Sequence, residues 1–349
     1  MRRFHFGLFT LVFLATQSLM AATYYVGSCH KGAFGTIQAA VSSVPAGSTI
    51  YVCPGTYAEQ VLISQALTLQ GITDDGKGGV VISDVGVTLA TTTSIYWSTV
   101  APQIQVTAGP VNITDINVFE NNPSACPATE IAIFYGSGSS GTVRGVVTNG
   151  NCNFGSLGVS AENGAGATQS VTIENSQINA GSIAGISVGS DQIPSSLTAV
   201  VKNNYIWTSP VGIMSLGNSQ GSISGNFIAS YPGGGTGVWA GSANVAISGN
   251  WIEKQSIGID IEGTIVSVTS NRIFASTTTG INIGVGGVTV KGNGIVYTTG
   301  NAIEFNCTAG DTVTGNTINN ANVGLAGVPA SFTGGNQFYN VATARTGGC

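Results

Sequence analysis

The chain has 349 residues, 51 of them Gly, and only 7% are charged, against roughly 25% in an ordinary globular domain. Ten Lys and Arg against fifteen Asp and Glu leave a formal charge of −5 with no basic run, which argues against a nucleic-acid partner. A hydrophobic content of 42% excludes disorder, and beyond residue 22 no uncharged apolar run reaches the ~20 residues that span a bilayer.

Arg2 and Arg3, the apolar stretch from Phe6 to Leu19 and the small residues Ala21 and Ala22 read as an export signal over residues 1–22. Residues 23–349 then form the mature protein, expected to be secreted, periplasmic or at the cell surface, where an even cysteine count reads as disulfides. His30 is its only histidine and no cysteine pair has CxxC spacing, so neither a metal site nor a cofactor is expected. Further along, Ile37, Ala40, Val41 and Val44 fall at i, i+3, i+4 and i+7, predicting one short helix. It would cap the N-terminal end of the fold within residues 23–49.

From Ile50 onward the chain reads as short strands. Val111–Val118 and Val171–Ile178 share a frame that becomes regular at Asn204, Asn226, Asn250, Asn271, Asn293, Asn316 and Asn336, at intervals of 22, 24, 21, 22, 23 and 20. Val or Ile stands three residues before each Asn up to Asn316 and Ile two residues after; a second unit follows as Gly212-Ile213, Gly237-Val238, Gly258-Ile259, Gly280-Ile281 and Ala302-Ile303. Two or three short strands per ~22-residue coil, separated by Gly and Asn turns, predict an all-β fold: one parallel β-solenoid domain whose coils occupy residues 50–349. Coils stack at about 4.8 Å, so residues one period apart become neighbours and the Asn residues form a structural stack. Cysteines one coil apart come within disulfide range, which predicts Cys29–Cys53 and Cys126–Cys152, leaving Cys307 to pair with Cys349.

The run Phe34-Gly-Thr-Ile-Gln-Ala-Ala-Val41, with Gly47-Ser-Thr-Ile-Tyr-Val52, Pro54-Gly-Thr-Tyr-Ala-Glu59 and Leu67-Thr-Leu-Gln-Gly71, resembles the start of right-handed parallel β-helix proteins of the pectin-lyase-like superfamily. The resemblance implies a right-handed helix of three sheets and an association with polysaccharides. Gly55-x-Tyr57-x-Glu59 is also similar to an element of pectin methylesterases, but the later catalytic motifs of that family and of polygalacturonases are missing. Similar β-helix proteins of copper-site assembly are a poor chemical match, since one mature His and three Met, Met1 and Met20 among them, supply few soft ligands.

Stacking lets outward residues be read as columns. One column runs Ser187, Met214, Trp239, Asp260, Asn282, Glu304 and Ala326, with Glu262 and Asn306 two residues further on in their coils. Asp260, Glu262 and Glu304 concentrate scarce acids beside Trp239. Asp260 and Glu304, two coils or roughly 9.6 Å apart, approach the spacing of an inverting glycosidase, with Trp239, Asn282 and Asn306 contacting sugar. The same residues also suit an ordinary solubilising face. A second column, Tyr205, Phe227, Trp251 and Arg272, reads either as a sugar platform or as a self-supporting aromatic stack ended by a cation. The sequence thus points to a polysaccharide partner, with a glycoside hydrolase or lyase on one side and a non-catalytic scaffold or adhesion protein on the other.

Overall fold

Alternating β-branched residues cut every few positions by Gly, Asn or Ser favour short strands, and short strands dominate. A computed structural model of the chain describes residues 22–73, 79–120, 128–150, 155–164, 166–179, 182–191, 196–207, 210–230, 234–242, 244–264, 266–306, 310–329, 332 and 334–347. Among them every strand ladder is parallel except Thr92–Ser94 against Ser98–Val106. The export-signal expectation, apart from Ala22, and Cys126, Cys152, Cys307 and Cys349 with their two pairings, lie outside the described residues.

Hydrogen bonding divides the parallel β-solenoid into a 12-stranded and a 22-stranded sheet rather than three. The larger sheet contains two ladders, one through Tyr205–Trp207, Phe227–Ala229, Trp251–Glu253 and Arg272–Phe274, the other through Val211–Gly217, Thr236–Ala240, Ile257–Ile261 and Thr279–Ile283. They fuse because Gly294–Phe305 carries strand pairing around the corner, meeting Arg272–Phe274 with one end and Thr279–Ile283 with the other. The stack also begins before Ile50: Thr23–Val26 pairs in register with Thr49–Val52, extending the inward alternation by one rung.

Inward positions carry the core. Ile223, Ile247, Val268 and Val290, with Ile228, Ile252, Ile273 and Ile295, are all 0–2% exposed, each contributing about 1.5–3 kcal/mol of burial. The Gly of each Gly-Ile unit is required by this packing. A Cβ on Gly237 would lie 2.5 Å from Ile252 Cγ2 and 2.5 Å from Gly258 O, so the repeat Ile occupies the space that any larger residue would need.

The recurring Asn forms a buried ladder. Asn250 Nδ2 donates to Asn271 Oδ1 (2.9 Å) and to Ile223 O (2.9 Å), while its Oδ1 accepts from Asn226 Nδ2 (2.9 Å) and Asn226 N (3.0 Å). The pattern repeats from Asn204 to Asn336. The preceding residue turns through the left-handed region (φ 64° at Gly225 and Gly249), which Gly adopts without steric cost.

At the N-terminal end, helix Ile37–Ser43 buries Ile37, Ala40 and Val41. Thr36 caps it by accepting from Ala39 N, and Glu59 accepts from Ile37 N and Gln38 N, both at 2.8 Å, satisfying backbone donors the helix cannot. Tyr57 Oη donates to Cys53 O (2.9 Å), and Cys53 is bonded to Cys29 with Cα atoms 5.6 Å apart. The Tyr57 and Glu59 positions of the methylesterase-like element therefore anchor structure.

The Asn ladder yields a direct stability prediction. Asn250→Ala leaves the Asn226 N–H and one Asn226 Nδ2 hydrogen without their acceptor and takes the amide donor from Ile223 O, while Asn271 Oδ1 keeps the residue-250 backbone N–H; it should cost about 2–4 kcal/mol. Asn336→Ala, at a half-buried rung, should cost less; equal and negligible losses of Tm in thermal unfolding would contradict the ladder's role.

Candidate functional site

The outward column is a physical row. Register pairs join Ser187 to Met214, Met214 to Trp239, Trp239 to Asp260, Asp260 to Asn282, Asn282 to Glu304 and Glu304 to Ala326. Trp239, Asp260, Asn282 and Glu304 are half-buried, and Glu262 and Asn306 are exposed beside them. Asn282 Nδ2 donates to Asp260 Oδ1 (2.7 Å), and Asn306 Nδ2 donates to Asn282 Oδ1 (3.2 Å), so the three side chains form a polar chain. Glu304 Oε2 accepts from Thr279 Oγ1 (3.0 Å). Burial raises the Asp260 carboxyl above the usual aspartate value; the Asn282 hydrogen bond opposes this, and the Glu262 charge adds to it. Asp260 and Glu304 therefore face the same side of one sheet with Asn282 between them.

A hairpin that the periodicity does not reveal sets where this row opens. Thr92–Ser94 folds back on Ser98–Val106 and is tied down by Glu162, which accepts from Ser94 Oγ (2.7 Å) and Ile95 N (2.8 Å). Trp97 packs against Val100, Ile131, Phe134, Leu157 and Ala184, while Tyr96 lies against Gly189 and Gly217, where a Cβ would meet its ring or hydroxyl. The earlier members of the outward row, Phe134, Ser160 and Ser187, are consequently 0–3% exposed. The row emerges only at Met214, and the Trp239–Glu304 segment is its open part. A cleft of about 210 Å³, bordered by Thr93, Ile95, Gln105, Phe134 and Glu162, marks the hairpin's edge.

The aromatic column lies on the other ladder. Tyr205 and Phe227 stack with centroids 4.8 Å apart and planes at 5°, Trp251 follows at 6.5 Å and 34°, and Arg272 sits 5.5 Å over the Trp251 ring. Tyr205 and Trp251 remain 43% exposed. The faces of Tyr205 and Phe227 that a sugar would use meet each other, and the Trp251 ring carries the guanidinium, so what this column offers to solvent is chiefly ring edge.

Sequence reading missed a buried acidic group. Asp84, Glu120 and Glu130 are 1%, 0% and 2% exposed. Pairing of Phe119 with Ser83 puts Glu120 beside Asp84 in the next coil. Among the described residues neither Glu120 oxygen has a hydrogen-bond partner, and desolvation, then the charges of Glu130 and Asp84, hold its carboxyl well above the ordinary glutamate value. Burial, reinforced by Asp84, pushes Glu130 up to about 7. An acid just past the strand in two successive coils was the available signal.

Residues 192–343 match a family profile described as periplasmic copper-binding protein (NosD). That segment contains no His, and its sulfur ligands are Met214 and Cys307; among the described residues no three His, Cys, Asp or Glu are placed to hold a metal. This donor set does not fit a copper site built from imidazole or sulfur. No curated protein matches the chain in sequence. Among solved structures, the chain is similar to the A-module of a mannuronan C-5 epimerase from Azotobacter vinelandii, at 16% identity over 88% of this chain and 90% of that one, TM-score 0.54. It is also similar to a PL6 alginate lyase in complex with a trisaccharide (12%, 93% and 86%, TM-score 0.54) and to the Dettilon tailspike protein (15%, 86% and 63%, TM-score 0.57). These likenesses show the fold alone, a right-handed parallel β-helix. No helix among the described residues is long and apolar enough to cross a membrane.

The buried acids make stability pH-dependent. Because the folded state holds protons on Glu120 and Glu130 that the unfolded chain releases, stability is greatest below the ordinary glutamate value and falls as pH rises. For Glu130 the loss spans pH about 4.5 to 7. Glu130→Gln should flatten this slope in denaturant titrations; an unchanged slope would contradict the assignment.

Proposed function

We propose that the chain is an exported polysaccharide-binding protein whose glycan-contacting face is the open row Trp239, Asp260, Asn282 and Glu304. The observation that carries this reading is the alignment of a half-buried indole with a hydrogen-bonded polar chain on one ladder, beginning where the hairpin's cover ends. Indole rings suit the apolar faces of sugars, and carboxylates and amides suit their hydroxyls. The epimerase and the lyase to which the fold is similar act on polysaccharide by their names, and the disulfide fits an oxidising compartment outside the cytosol.

The same face supports glycoside hydrolysis. Asp260, whose burial favours the protonated form, donates its proton to the leaving glycosidic oxygen; Glu304 takes a proton from water as the hydroxyl adds to the anomeric carbon. Two rungs of about 4.8 Å set the carboxylates roughly 9.6 Å apart, at the upper end of an inverting pair, with Asn282 on the rung between them, so the water would sit outward of the Asn282 amide. Elimination would need a base near the sugar, and Lys254 and Arg272 belong to the aromatic side of the coil. The second reading, a non-catalytic scaffold, is favoured by one observation: Asn282 stands between the two carboxylates and bonds to Asp260, fixing the row as a static polar surface.

Mass analysis of products from a polysaccharide panel, with binding measured alongside, tests both readings. Asp260→Asn and Glu304→Gln should each lower turnover about 10²–10⁴-fold while binding persists, and Trp239→Ala should weaken binding about tenfold, near 1.4 kcal/mol. Trp251→Ala should lower Tm and leave binding in place. Intact polymers with binding retained would leave the scaffold; binding insensitive to Trp239→Ala would overturn the assignment of the face.

A further inference from the structure

The charge layout of the open face selects among polysaccharides. Resting on the glycan-face reading above, we propose that this face takes an uncharged polysaccharide and rejects polymers that carry carboxylates. The ladder that bears the row contains no Lys, Arg or His in any strand from Ser98–Val106 through Ala184–Ser190, Thr236–Ala240 and Thr279–Ile283 to Thr317–Val328. Its charged groups are acids: Asp260, Glu262 and Glu304 at the open row, Glu162 beneath the hairpin and the buried Glu130.

Among the described residues, several cations are held away from this row. Lys202 pairs with Glu174 at 2.9 Å on the 12-stranded sheet, where Arg144 also approaches Glu174 and Lys291 ends the Thr289–Lys291 strand. Arg272 covers the Trp251 ring, and Arg345, on the last described strand, lies over Phe332 and donates to Gly334 O. A uronate polymer laid along Trp239–Glu304 would place its carboxylates against Asp260, Glu262 and Glu304 with no guanidinium or ammonium in the row to receive them. Charge complementarity sets specificity at such a surface, and like charges brought together there exclude the wrong partner. A neutral sugar meets no such penalty: its hydroxyls can donate to the acidic oxygens and exchange hydrogen bonds with the Asn282 and Asn306 amides, and Trp239 covers a ring face.

Affinity electrophoresis of the mature protein tests this with neutral polymers (dextran, laminarin, mannan, galactan) and carboxylated ones (alginate, polygalacturonate), each at low and high salt, with EDTA and with added Ca²⁺. The expected result is retardation by at least one neutral polymer that persists at high salt, with carboxylated polymers binding at least tenfold more weakly at low salt. A triple variant, Asp260→Asn, Glu262→Gln and Glu304→Gln, should narrow that gap. Tighter binding to alginate or polygalacturonate, whether salt-sensitive or dependent on Ca²⁺, would overturn the inference while leaving a glycan face intact. Absence of binding to every polymer would overturn the glycan-face reading itself, and this inference with it.

Discussion

The structure depends on one constraint: each coil must return to the same register as the coil before it. The Asn ladder enforces this, because every buried amide donates both to the Asn of the next coil and to a carbonyl of the preceding one. A slip by one residue would turn Ile252 and Ile273 outward and strand those amides without partners. The core aliphatics supply most of the burial energy. The apolar core thus excludes one-residue slips, and the directional Asn bonds fix the same register rung by rung.

The outward row follows from register by geometry. Trp239, Asp260, Asn282 and Glu304 are separated by 21 to 22 residues in sequence, yet register pairing makes each the neighbour of the next. The hairpin then acts as a selective cover. By resting Tyr96 on Gly189 and Gly217 and packing Trp97 against the apolar cluster that includes Phe134, it removes the early rungs from solvent and leaves the later ones open. The two aromatic features consequently differ in kind: Trp239 stands alone in a polar row, whereas Trp251 lies in a stack between Phe227 and Arg272.

Features that recur were legible in the sequence. The Asn, Val and Ile columns, the outward row and the short helix all follow from periodicity, and the Cys29–Cys53 bridge follows from a one-coil interval. Features that occur once were not. The Thr92–Ser94 hairpin interrupts the repeat and leaves no periodic trace, and Glu162 looks like any strand-end acid until Ser94 and Ile95 are seen on it. Asp84, Glu120 and Glu130 are buried together, and beyond an acid just past the strand in two successive coils nothing in the sequence announces that their strand ends meet inside a corner. Glu59 belongs to a motif similar to one in an enzyme family, and here its carboxylate caps a helix. Fusion of two faces into one sheet depends on the single long strand Gly294–Phe305 pairing at both of its ends, which a pattern of isolated short strands conceals.

The central claim is that register assembles one glycan-contacting row and that the neighbouring aromatic stack is structural. Hydroxyl-radical footprinting of Trp239 against Trp251, with and without a polysaccharide that retards the protein, tests it most directly, since both indoles lie in strands of the same larger sheet but on different ladders. The account predicts strong protection of Trp239 and an unchanged Trp251. Protection of Trp251 with Trp239 unaffected would contradict it.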